Sequence, residues 1–396
     1  MGSGPRYRWV VLLVGTAAQA ATAYFLGLAA VTPALRAHFD LGLAGVGVLI
    51  GLASAGLIPT LMAWGSAADR FGERWVMASG LLGASVTLGV LALVDHPVAA
   101  GVLLVVAGAC GASVNAASGR AVLTWFPVAG RGTAMAIRQT AVPVGAAVAA
   151  VALPPIADAG GVPAVFVALA ATCLAAAVAV AAFIREPPDA PARTARPAAR
   201  TREVLADRSL QRLSLAGLLL VVPQFLGSVF LVEVLHGGAG LSLPVAGVLL
   251  GVTQVLGAAG RLVNGAWSDR VHSRLGPLRI VALAVTAGFA LAAVLRPGPA
   301  VLLAAVLVPA AALAISWNGL VFTAAGELAP EGRAATAMAM SNTANYAAGA
   351  VTPALGGLVA DLAGWSAMLA MGAVAAVGAL LALRHLAEPV ADPLRR

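Results

Sequence analysis

No lysine occurs in this chain of 396 residues, and charged residues make up only 10% of it. A soluble domain carries about 25% charged residues, so that class is excluded. The 24 basic residues are all arginine and outnumber 16 acids, giving a formal charge of +8. All but three sit outside the apolar runs or at their ends, mostly in short loops, a pattern that orients a membrane chain and does not make a nucleic-acid surface. Cysteine is scarce as well. Cys110 and Cys173 both lie in apolar runs at no metal-ligand spacing. They read as small packing residues, with no disulfide framework, metal or cofactor implied. No Asp, Glu or His falls at mid-depth in an apolar run; Glu233 and Glu327 come nearest and sit at run ends. A buried proton-carrying carboxylate is therefore not evident. An enzyme would need a nucleophile, base and acid at usable spacing, and none recurs; a sensor would need an extramembrane output domain.

What is present is hydrophobic length. The chain is 61% hydrophobic, with a mean hydropathy of +0.95. Apolar runs between charged or Pro/Gly-marked breaks predict an all-α membrane protein of twelve spans. These cover 9–31, 43–64, 75–94, 98–125, 133–154, 162–184, 210–233, 243–267, 280–295, 300–327, 334–358 and 365–384. The first run lacks a cleavage pattern and is taken as a helix, not a signal. Nineteen arginines then fall on one side and only Arg36 and Arg296 on the other. Both termini are expected in the cytoplasm, with the chain multi-pass in the inner membrane. Trp9, Trp64, Trp75, Trp125 and Trp267 fall at the inner boundary and Trp365 at the outer one. A Pro/Ala/Arg-rich stretch at 185–208 reads as a mobile linker between six-helix bundles at 1–184 and 209–396.

The halves repeat. Residues 43–70 align with 243–270, sharing Gly65 with Gly265, Asp69 with Asp269 and Arg70 with Arg270. Residues 24–27 match 224–227, and 133–158 align with 336–361 at an offset of 203. Repeated halves with a substrate site between them are a transporter architecture. The loop GSAADRFGER at 65–74 resembles the signature loop of the major facilitator superfamily, through Gly65, Asp69, Arg70, Gly72 and Arg74. Glu73 departs from the usual basic residue, and 265–277 carries a degraded copy. The resemblance implies a two-bundle fold and a conformational latch. Asp69, and by the repeat Asp269 with Arg270, faces the positive N-terminus of a helix of the other half, while Arg70 and Arg74 hold the inner surface.

Three arginines lie inside spans. Arg120, near the inner end of its span, is expected to snorkel or to pair with Asp69. Arg138 and Arg261 have no acidic residue near them in sequence. A guanidinium at membrane depth costs a few kcal/mol or more. Arg138 aligns with Ser341 and Arg261 with Leu61, so the fold demands neither charge. Each lies roughly 10–12 Å inside the inner boundary at 1.5 Å per residue. Helices five and eight face each other in the resembled family, which implies an anion held between Arg138 and Arg261. The pattern GRLVNGAWSDR around Arg261 also resembles helix eight of the nitrate-, cyanate- and oxalate-type branches. Tyr24, Gln224, Asn345 and Tyr346 are implied to line the path from helices one, seven and eleven; Gln139 and Trp317 complete the candidates.

The expected function is secondary active transport of a small organic or inorganic anion by rocker-switch alternating access. The protein is expected to be a monomer in the bilayer, and a proton or counter-anion would travel with the cycle. The alternative is a proton-coupled exporter of lipophilic drugs. The fifth span reads AVPVGAAVAA with no Gly-Pro pair, and the middle of the fourth has no arginine; both features weigh against that alternative.

Overall fold

The computed structural model describes residues 6–23, 28–185 and 201–388, and every regular element among them is helical. Tyr24, the 24–27 repeat match and most of the expected linker lie outside the described residues. Helix α1 spans Tyr7–Thr22, a 3-10 turn covers Leu28–Val31, and α2 follows at Thr32–Phe39. The expected single helix over 9–31 therefore stops at Thr22. Next come α3 (Leu43–Phe71), α4 (Glu73–Leu91), α5 (Pro97–Trp125), α6 (Val128–Gln139) and α7 (Ala141–Phe183). A short α8 (Thr201–Ala206) leads to α9 (Arg208–Glu233), then α10 (Leu243–Arg270) and α11 (Leu275–Leu295). The chain closes with α12 (Ala300–Ile315), α13 (Asn318–Leu328) and α14 (Ala334–Leu383).

Among the described residues, nine helices are long and apolar enough to cross a membrane. Two runs, Val128–Phe183 and Ala334–Leu383, hold 56 and 50 residues. At 1.5 Å per residue each is more than twice the ~30 Å hydrocarbon core. Each has non-helical backbone angles at one glycine, Gly161 (φ 69°) and Gly364 (φ 82°), and the first run is also interrupted at Thr140. Only glycine takes such angles without strain, and the two stand at the repeat's own offset of 203.

Two expectations need correction. The end of the expected linker is ordered: Val204 is fully buried, and Asp207 caps α9 by accepting from the N–H groups of Ser209 and Leu210. A short polar side chain at the N-cap satisfies donors that a helix start leaves open. Trp64 is not a rim residue, because its indole N–H donates to Ala109 O, in the middle of α5, at 2.7 Å.

The chain clusters into two compact units. Unit 1 comprises Met1–Pro127, Ile137–Val204 and Pro330–Thr343; unit 2 comprises Val128–Ala136, Leu205–Ala329 and Ala344–Arg396. In unit 1, α3 and α4 pack on α5, and α1 and α4 pack on α7. Polar side chains tie these helices, as Ser85 Oγ does by donating to Ala170 O at 2.8 Å. In unit 2, α9, α10 and α11 gather around α12, with Leu220, Leu278, Phe289 and Leu303 buried.

Candidate functional site: two buried aspartates and two buried arginines

The signature loop begins on the last turns of α3. Gly65 and Asp69 are one turn apart and share a face. That face meets the start of α14, so closely that a Cβ on Gly65 would lie 2.8 Å from Ala339 Cβ and 2.9 Å from Ala335 O. The Asp69 side chain is 1% exposed. It accepts from the backbone N–H of Ala335 (3.1 Å) and Thr336 (2.9 Å) and from the Thr336 hydroxyl (2.6 Å). A carboxylate here answers open donors and faces the positive end of the helix dipole. The chain then leaves α3 through Gly72 at φ 87°.

Unit 2 repeats this atom for atom. A Cβ on Gly265 would lie 2.5 Å from Gly132 O. Asp269 accepts from the N–H of Gly132 (2.9 Å) and Thr133 (2.7 Å) and from the Thr133 hydroxyl (2.8 Å). The turn after α10 places His272, not glycine, at φ 51°.

The supporting charges are exchanged between the copies. In unit 1, Arg120 from α5 lies 3.4 Å from Asp69 and 2.8 Å from Glu73. This gives the departing Glu73 a partner and matches one expectation for Arg120. In unit 2 the arginine comes from the loop and the acid from the helix. Arg274 bonds Asp269 at 2.7 Å and Glu327, on α13, at 3.2 Å, and its Nη2 donates to Val128 O at 2.6 Å. Burial works against the Arg274 charge, but Glu327 and Asp269 outweigh it, and its pKa stands above the ordinary value. Glu388 holds the loop from the other side, accepting from the Ser273 hydroxyl and the N–H groups of Arg274, Leu275 and Gly276. Arg70 and Arg270 are exposed; Arg70 lies over the Phe71 ring and Arg74 over the Trp75 ring, each at 5.0 Å.

Arg138 and Arg261 are both buried, at 3% and 9% exposure. Arg138 sits where α6 gives way to α7 around Thr140. Its Nε donates to Ser118 Oγ (2.8 Å), Nη1 to Gln139 Oε1 (2.6 Å) and Nη2 to Asn115 O (2.8 Å). Asn115 is in turn held through its side chain by Gln19 at 3.1 Å. Arg261 serves a different feature. The span expected over 300–327 is broken between Ile315 and Asn318, which frees carbonyls at the break. Arg261 Nε donates to Ile315 O at 3.0 Å, and Asn264 Nδ2 donates to Ser316 Oγ at 2.8 Å. A cation at the C-terminal end of α12 also suits the helix dipole. These bonds run from each guanidinium to neutral oxygens of its own unit.

The other candidates divide. Gln139 joins Arg138. Trp317 is fully buried at the helix break, and Asn345 is 7% exposed on α14. Trp317 and Asn345 converge on Gly217 of α9. Gln224 and Tyr346 are half-buried on α9 and α14, and Glu233 is exposed. Thr133 and Thr336 were missed as cap donors, although both open the repeated TAMA segment. Glu327, Arg274 and Glu388 were missed because nothing in the sequence pairs residues so far apart.

A family model described as Major Facilitator Superfamily matches residues 12–353. The chain belongs to this superfamily. An "Uncharacterized MFS-type transporter Rv2994" of Mycobacterium tuberculosis is 36% identical over 363 residues, covering 90% of this chain and 80% of that protein. The E. coli fucose:proton symporter FucP has the same fold, with a TM-score of 0.74 at 16% identity over 96% of this chain and 98% of its own. So does the human organic anion transporter MFSD10, with a TM-score of 0.73 at 19% identity over 96% and 99% of the two chains. These likenesses establish a multi-pass membrane transporter fold in a family of transporters rather than enzymes, without choosing a substrate.

Proposed function

We propose that this superfamily member is a secondary active transporter of a small organic or inorganic anion, with Arg138 and Arg261 as its cationic ligands. The observation that carries the reading is the pair of arginines buried inside apolar spans, each present in one half of the repeat and absent from the other. The aligned positions in the other half, Ser341 and Leu61, carry no charge, and a guanidinium kept at membrane depth marks a substrate path. The reading includes twelve spans in the cytoplasmic membrane with both termini inside. Gly161 and Gly364 divide the two longest runs, which with α1 brings the nine long helices to that count. The Asp69 and Asp269 caps act as latches that close and release as the halves rock. Buried Arg138 and Arg261 shift toward the anion when it binds and form charge-assisted hydrogen bonds to it. A proton or counter-anion travels with the cycle. The test is uptake of labelled anions by proteoliposomes carrying wild type, Arg138→Ala or Arg261→Ala, with thermal unfolding checking that each variant is folded. Each substitution is expected to reduce uptake at least tenfold. Undiminished uptake of the true substrate by both folded variants overturns the assignment.

A further inference from the structure

Unit 2 contains a cluster of polar side-chain atoms that its own fold leaves without partners. Trp317 Nε1 has no acceptor, and neither Oδ1 nor Nδ2 of Asn345 is hydrogen-bonded, although these residues are 0% and 7% exposed. Gln224 Oε1 and Asn318 Oδ1 are buried in the same condition. Native interiors contain few such atoms, because a buried donor or acceptor has given up water and gained nothing in return.

Trp317 and Asn345, which carry three of the five atoms, meet over Gly217. A Cβ on Gly217 would lie 2.7 Å from Asn345 Oδ1 and 3.6 Å from Trp317 Cζ3, so glycine is what lets the two side chains meet there. Gln224 stands seven residues further along α9, two turns away on the same face. Asn318 follows Trp317 directly and opens α13. Arg261 holds Ile315 O, two residues before Trp317, so a cation and the cluster share one helix break.

The chemistry of the set is specific. Trp317 Nε1 is a donor only, and the Asn345 amide offers a donor and an acceptor; exchanging its N and O changes nothing, since both ends are open. Gln224 Oε1 and Asn318 Oδ1 add two further acceptors. Nitrate, cyanate or a simple carboxylate brings only acceptors and would leave these three oxygens as they are. A ligand bearing hydroxyl groups answers donors and acceptors together.

We infer that Trp317, Asn345 and Gln224 form a subsite that reads the hydroxyl groups of the substrate, making it a hydroxylated organic acid. This rests on the anion reading above for the acid and on the cluster alone for the hydroxyls.

The experiment measures binding to the purified full chain in detergent of pairs that differ in hydroxyls: lactate against propionate, and gluconate against hexanoate. Nitrate serves as a bare anion and glycerol as a neutral polyol. Wild type is expected to favour at least one hydroxylated member over its partner by tenfold or more, since a site built to bond a hydroxyl rejects the analogue that lacks it. Trp317→Phe, which keeps the ring and removes the donor, and Asn345→Leu are expected to bring that ratio to about one. No preference in wild type for either hydroxylated acid overturns the inference, as does a preference that both variants keep. Tight nitrate binding lost in Arg261→Gln but kept in Asn345→Leu sinks the subsite and leaves the anion reading standing. Glycerol binding lost in Asn345→Leu but kept in Arg261→Gln supports the hydroxyl subsite and sinks the anion reading.

Discussion

Replacing Asp269 with Asn is expected to loosen the second turn of α6. The carboxylate takes the Gly132 N–H at 2.9 Å, the Thr133 N–H and hydroxyl at 2.7 and 2.8 Å, and Arg274 at 2.7 Å. An amide keeps one acceptor oxygen and turns N–H groups toward the donors that the other oxygen served. At least two hydrogen bonds of charged character go, each worth about 1.5–3 kcal/mol. Allowing for relaxation, the hold on this turn weakens by about 3 kcal/mol, roughly two decades in a local opening equilibrium. Hydrogen–deuterium exchange on the chain in nanodiscs reads this directly. The Gly132 and Thr133 amides are expected to exchange about 100-fold faster, while Ala335 and Thr336, capped by Asp69, keep the wild-type rate. Asp69→Asn gives the mirror pattern. Wild-type exchange at Gly132 and Thr133 in a folded Asp269→Asn protein refutes the claim that this carboxylate holds the turn.

Other substitutions test the same region. Arg274→Ala removes the 4%-exposed guanidinium shared by Asp269 and Glu327, leaving Asp269 its three donors from α6 and Glu327 only Arg131 at 3.7 Å, and is expected to cost about 3 kcal/mol in denaturant unfolding. Arg120→Ala costs less, since the Arg120 side chain is 16% exposed and Asp69 keeps its three donors from α14; an equal or larger loss for Arg120→Ala contradicts this. His272→Gly relieves a left-handed residue at φ 51°. The net gain, after glycine's own entropy, is up to about 1 kcal/mol, seen as a Tm rise of about 1–3 °C. Glu388→Ala uncaps the start of α11 and is expected to cost about 1–2 kcal/mol, with faster exchange at Arg274, Leu275 and Gly276; unchanged exchange there argues against the cap.

The membrane class, the helical fold and the internal repeat were legible in the sequence because each is written in local residue type. Apolar length makes spans, and glycine and aspartate at fixed spacing make the signature loop. The breaks at Gly161 and Gly364 fall just past the aligned segments, at the same offset of 203 and between expected spans. The break at Ser316–Trp317 was not legible, because an apolar run reads as one helix until a neighbour captures its carbonyls. Arg261 does that at Ile315 O from 54 residues away, and Asn264 at Ser316 O from 52.

Charge partners divide the same way. Sequence order determined that two arginines lie in apolar spans and that Asp69 and Asp269 are equivalent. Tertiary structure chose between the alternatives for Arg120, which Asp69 and Glu73 share, and alone brought Arg274 between Asp269 and Glu327. It also decided that Trp317 and Asn345 meet over Gly217. A charge or an orphaned amide acquires its meaning from what lies within about 3 Å, and in a bundle those neighbours come from distant turns of the chain. Local composition sets which helices form and where the membrane holds them; packing sets what each polar atom inside it is bonded to.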